Sequence, residues 1–131
     1  MDELQKHSLS FPKKMLLHQI SLYLMAAAYL FAGTSHFRIP KFFIKITPPW
    51  VPTPEKVNML VGAIEVLLGI GLLIPATTNL AAWGVIALLI AVFPANVYHY
   101  QLARKKGKKV MPTLIRLPIQ ALLIYWAYSF T

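Results

Sequence analysis

Between Met15 and Phe37 the chain runs 23 residues without a Lys, Arg, Asp or Glu. As an α-helix rising ~1.5 Å per residue, that run is long enough to cross the ~30 Å hydrocarbon core of a bilayer. Similar runs follow at about 54–74, 80–103 and 112–131, with most of the charge and proline held between them. Backbone polar groups find no water inside lipid, so each such run has to be a helix. The predicted fold is all-α: an integral membrane, antiparallel four-helix bundle, one domain over 1–131, with an interfacial segment between the first and second spans.

Composition agrees. With 57% hydrophobic residues, 13% charged and a mean hydropathy of +0.58, the chain falls outside the soluble globular class. A net charge of +9 would point to nucleic acid in a soluble protein. Here the Lys and Arg sit between apolar runs, which fits loops facing anionic lipid headgroups, and nucleic acid is not an expected partner. There is no cysteine, so neither a disulfide nor a thiol relay has a residue in this chain.

The connecting segments set the order of the spans. Residues 1–14 are polar and are expected to sit at the interface. The basic start and Ala26-Ala27-Ala28 also fit a signal peptide, but the apolar region is long for one, so a retained span is expected. On that span His18, Met25, Tyr29, Ala32 and His36 share one side, with His18 read as a headgroup-zone residue. From Phe37 to Trp50, aromatic and basic residues alternate with prolines in a stretch too short and too charged to cross. Thr53-Pro54-Glu55 then offers an N-cap, a proline at the first helical position and an acid at the positive end of the helix dipole. The uncharged turn Pro75-Ala-Thr-Thr-Asn79 makes its flanking spans antiparallel neighbours. Pro94 is expected to kink the third span, and Arg104, Lys105, Lys106, Lys108 and Lys109 after it form a lipid-headgroup contact. Counting Lys and Arg puts nine on the side of the first and third loops against three on the tail side, so those loops are predicted to be cytoplasmic.

Inside this greasy frame one residue is out of place. Glu65 is the only charge between Asn58 and Gly71. At 100° per residue, Asn58, Gly62, Glu65 and Gly69 fall in a sector about 60° wide on an otherwise Leu, Ile and Val surface. An ionised carboxylate at bilayer depth costs at least ~2.5 kcal/mol, so it needs a partner, water or a proton. The small residues beside it allow a second backbone to approach closely.

Antiparallel threading gathers His36, Asn58, Asn96, His99, Arg116 and Gln120 at one end of the bundle, with Glu65 roughly 15 Å below the start of its helix. The expectation is one polar pocket open to the first and third loops, with Glu65 at its floor and Arg116 either turned inward or snorkelling to the headgroups. Two readings stand. In one, Glu65 pins helix register and Asn96 and Gln120 are interhelical glue, or Asn96 bonds backbone loosened by Pro94. In the other, the pocket holds a ligand or handles protons. Two histidines and a carboxylate at 36, 65 and 99 match no metal-ligand spacing, and no catalytic triad, phosphate loop or haem motif is present.

Taken together, Gly33-Thr-Ser-His36-Phe37, Pro48-Pro49-Trp50-Val-Pro52, the run from Gly62 through Glu65 and Gly69 to Pro75, and Ala91-Val-Phe-Pro94-Ala95-Asn96 resemble the DoxX family of small four-helix membrane proteins. The resemblance covers about residues 20–100. It implies a four-helix bundle and, for some members, association with quinol-oxidising or sulfur-oxidising membrane complexes. Other DoxX-like proteins resemble assembly chaperones, including the nicotinic acetylcholine receptor chaperone of animals. Carried across by position, it puts the functional weight on His36, Glu65 and Asn96. The first expectation is a non-catalytic accessory subunit of a membrane redox system, with no cofactor of its own and a quinone-like or lipid ligand near Glu65. The alternatives are an assembly chaperone that shields a client span, or a small transporter that would have to form a homo-oligomer.

Overall fold

A computed structural model describes residues 3–131, with side chains from Lys13 onward. It is all-helical: α1 (Glu3–Arg38), α2 (Pro40–Lys45), α3 (Pro54–Leu73), α4 (Thr78–Lys106) and α5 (Val110–Tyr128), with no strand among the described residues. Four helices are long and apolar enough to cross a membrane: the Lys13–Arg38 part of α1, and α3, α4 and α5. The chain is therefore a multi-pass membrane protein. The expected spans agree with these helices to within three residues at each end. Of the polar tail expected at 1–14, the side chains up to Pro12 lie outside the described residues.

Local chemistry explains the helix ends, with one correction. Pro54 does open α3, but Thr53 adopts φ 42° and its hydroxyl makes no capping bond. In that left-handed backbone only its carbonyl serves the helix, accepting from the Lys56 and Val57 N–H groups at 3.0 and 3.1 Å. At the other end of α3 the hydroxyls of the following turn do the work. Thr77 Oγ1 donates to the Gly71 carbonyl at 2.7 Å and Thr78 Oγ1 to the Leu72 carbonyl at 2.9 Å, satisfying acceptors that the helix leaves open. Thr77→Val, which keeps the shape and removes the donor, is expected to lower stability by ~1 kcal/mol in denaturant titration in detergent micelles. Gly107 closes α4 at φ 68°, with N–H bonds to the carbonyls of Ala103 and Arg104. Pro94 and Pro118 lie inside α4 and α5, and both helices continue through them.

Helix α1 packs along α3, α3 along α4, and α4 along α5. Trp126 Nε1 of α5 donates to Ser21 Oγ of α1 at 2.8 Å, and the His18 ring meets Phe130 edge to face at 5.3 Å, so α5 also reaches back to α1. The apolar core draws on Leu22, Met25, Ala26 and Tyr29 of α1, Leu72 of α3, Ala81 to Leu89 of α4, and Ala127 and Phe130 at the end of the chain. Trp83 and Tyr128 lie beside it, edge to face at 5.9 Å. His36, Asn58, Asn96, His99, Arg116 and Gln120 all lie outside this apolar core.

Candidate functional site

A close crossing of α1 and α3 builds the first part of the site. A Cβ placed on Gly33 would lie 2.8 Å from both the Gly62 carbonyl oxygen and the Val66 nitrogen, and one on Gly62 would lie 2.7 Å from His36 Cβ. Gly69 sits against the Ala26 carbonyl and Leu30 in the same way. The small face of α3 therefore receives the backbone of α1, as the spacing of Gly62 and Gly69 anticipates. That approach carries His36 from α1 onto Asn58 and Glu65 of α3.

The three side chains form a defined set. Asn58 Nδ2 donates to the His36 carbonyl at 2.8 Å, and Asn58 Oδ1 lies 2.6 Å from His36 Nδ1. A carbonyl can only accept, so the amide is oriented by that bond and Nδ1 must carry the hydrogen. The other ring nitrogen then faces the carboxylate: His36 Nε2 lies 3.5 Å from Glu65 Oε2. A bare Nε2 lone pair opposite a carboxylate oxygen would be repulsive, so this arrangement calls for one proton between the two residues. Glu65 Oε2 is buried and has no hydrogen-bond partner. Its side chain is 13% exposed and that of His36 11%. Water does little to screen such a pair.

A second set lies on α4 and α5. Gln120, buried, donates from Nε2 to the Leu89 carbonyl, and its Oε1 accepts from Asn96 Nδ2 at 2.6 Å. Arg116 reaches His99 Nδ1 at 3.2 Å and Asn96 Oδ1 at 3.5 Å. The backbone one residue before the carbonyl that Pro94 frees is thus bonded by Gln120 from the neighbouring helix. Asn96 does not bond that backbone; it bonds Gln120.

The single funnel expected from threading is accordingly corrected to two groups. His36, Asn58 and Glu65 share the α1–α3 seam, whereas Asn96, His99, Arg116 and Gln120 share the α4–α5 seam. Glu65 takes His36 as its partner, and exposed Arg116 turns to the second group. The reason is packing: α1 lies on α3 and α5 on α4, so each polar side chain meets the helix it already touches. Arg104, Lys105, Lys106, Lys108 and Lys109 are all exposed around the α4–α5 turn.

Sequence reasoning passed over the residues that connect the groups. In α2, Phe43 stacks on the His36 ring with centroids 3.8 Å apart, and Phe42 meets His99 edge to face at 6.0 Å. The two phenyl rings are themselves edge to face at 5.2 Å. Adjacent residues on a helix point about 100° apart, so one short turn can address both seams. The signal was the Phe42-Phe43 doublet inside a proline-bounded basic segment. Beside it, His36, Phe37, Pro40, Ile44, Glu55, Asn58 and Met59 line a cleft of about 370 Å³.

A family model described as a domain of unknown function, DUF8561, matches residues 25–131. The chain belongs to the DUF8561 family. No curated protein and no solved structure matches it. The DUF8561 segment takes in both polar groups, α2 and the basic turn.

Proposed function

We propose that this DUF8561 protein is a DoxX-like, non-catalytic accessory subunit of a membrane redox system, and that its α1–α3 seam receives a quinone-class ligand. The observation that carries the reading is the buried Glu65 Oε2, without a hydrogen bond, 3.5 Å from His36 Nε2 and behind an apolar-walled cleft that His36 and Asn58 line. A quinone needs an apolar slot for its ring and donors for its oxygens. Phe37, Pro40, Ile44 and Met59 supply the walls. Asn58 has a second amide hydrogen beyond the one given to the His36 carbonyl, and His36 with Glu65 holds a proton one residue behind it.

The frame of this reading is an antiparallel four-span bundle. The packing of α1 on α3, α3 on α4 and α4 on α5 supports it. In this frame α2 lies in the membrane interface, and the first and third loops face the cytoplasm with their nine basic residues toward anionic headgroups. The partner is another membrane protein or a second copy of the chain.

Equilibrium binding of decylubiquinone to the purified protein in detergent tests the proposal. Binding is expected to weaken at least tenfold in Asn58→Leu, the loss of a hydrogen bond to a desolvated oxygen. Equal affinity in wild type, Asn58→Leu and Glu65→Gln would remove the ligand site.

A further inference from the structure

The α4–α5 seam holds a cation that nothing in the described protein neutralises. Arg116 lies within a membrane-spanning helix, and among the described residues its guanidinium has no carboxylate within 4.0 Å. A guanidinium carries five N–H donors in a planar fork. Contacts to His99 Nδ1 and Asn96 Oδ1 use two. These contacts also hold the group in place, because Asn96 is bonded to Gln120, 3% exposed, which is tied in turn to the Leu89 carbonyl of α4. The remaining donors have no acceptor among the described residues.

Immediately beyond Arg116, the same two helices enclose an apolar groove of about 240 Å³, lined by Leu89, Ile90, Phe93, Leu117, Gln120, Ala121 and Ile124. Ile90 and Phe93 are exposed, 61% and 43%, so the groove opens outward onto the acyl chains rather than into the bundle. From Arg116 to Ile124 the helix rises about 12 Å, the reach of a good part of an acyl chain. A fixed fork donor at the head of an outward-facing apolar channel is complementary to a phosphodiester with a hydrocarbon tail.

We infer that the α4–α5 seam is a binding site for one anionic phospholipid, with the phosphate on Arg116 and an acyl chain in the groove down to Ile124. This site is separate from the α1–α3 cleft and does not depend on what the cleft binds. It differs from a general attraction of the basic turn for anionic leaflets, because it selects one lipid through one guanidinium and one groove.

Native mass spectrometry of the full chain, titrated with phosphatidylglycerol and with phosphatidylcholine of the same acyl chains, tests the inference. The wild type is expected to hold phosphatidylglycerol about tenfold more tightly, the scale of one charge-assisted contact. Arg116→Gln should abolish the preference. Ala121→Phe, which fills the groove from an exposed position, should weaken both lipids. A variant with Lys105, Lys106, Lys108 and Lys109 changed to Gln should keep the preference. Glycerol 3-phosphate, which has the headgroup charge and no tail, should not compete. The inference is overturned if Arg116→Gln keeps the preference, if only the turn variant loses it, or if glycerol 3-phosphate competes as well as the lipid. Should Arg116→Gln fail to keep its helical circular dichroism, the Ala121→Phe and glycerol 3-phosphate arms still decide.

Discussion

A single methyl group added at Gly33 or Gly62 is expected to destabilise the protein by ~2 kcal/mol, and a leucine at either position to prevent native assembly altogether. Both glycines meet backbone across the α1–α3 crossing. The new Cβ at Gly33 would lie 2.8 Å from the Gly62 carbonyl and the Val66 nitrogen, and that at Gly62 would lie 3.0 Å from the Gly33 carbonyl. Backbone cannot rotate out of the way, so the helices must part. Because that crossing also places His36 on Asn58 and Glu65, stability and ligand binding should fall together. Gly84 provides the contrast: a Cβ there would lie 2.5 Å from Leu68 Cδ2, the end of a flexible side chain. Gly84→Ala is therefore expected to be close to neutral, since a leucine rotamer change relieves the overlap. Gly107 has no neighbour within 4 Å but sits at φ 68°, so Gly107→Ala should cost ~1 kcal/mol through backbone strain alone. Unfolding of the four variants in mixed micelles ranks them. Gly84→Ala as harmful as Gly33→Ala would mean that the close crossing is not what limits stability.

The second large effect is asymmetric. His36→Leu is expected to cost about 3–5 kcal/mol, the usual penalty for stranding one member of a buried pair. The substitution takes away the counter-charge of Glu65 at 3.5 Å, the hydrogen bond to Asn58 at 2.6 Å and the stack on Phe43 together. Glu65→Leu, in contrast, leaves His36 bonded to Asn58 and stacked under Phe43, and it removes a buried oxygen that has no hydrogen bond. Its cost should stay within about 1 kcal/mol, because apolar packing can replace a buried charge without penalty. The double variant should be more stable than His36→Leu alone. A double-mutant cycle in detergent measures this, and quinone binding is read on the same samples. Glu65→Leu that folds normally but no longer binds the ligand assigns the acid to function. Glu65→Leu that loses stability as heavily as His36→Leu makes it a structural pin, and the proposed role fails.

Much of the architecture was visible in one dimension. A run of some 20 apolar residues admits one secondary structure in lipid, whatever its neighbours, so the four long apolar helices stand within three residues of where those runs place them. Pro54 marked the start of α3 because a proline can only begin a helix comfortably. The pairing of Gly62 and Gly69 with a second backbone was also legible, since side-chain size along one helical face is a local property. Thr53 was harder. Whether its hydroxyl caps the helix depends on φ, which is 42° here although the following Pro54 favours extended backbone.

What one dimension could not carry is partner choice. His36, Glu65, Asn96, Arg116 and Gln120 were all recognisable as polar groups at one end of a greasy bundle, and spacing along each helix named the face they share. Spacing says nothing about which helix lies opposite. Only packing decided that Glu65 takes His36 at 3.5 Å, that Arg116 turns to His99 and Asn96, and that Phe42 and Phe43 of a six-residue helix bridge the two seams. The physical reason is range. Hydrophobic length acts on every residue of a span wherever its neighbours stand, whereas a hydrogen bond or ion pair is worth something only within a few ångströms, a distance set by how the helices cross.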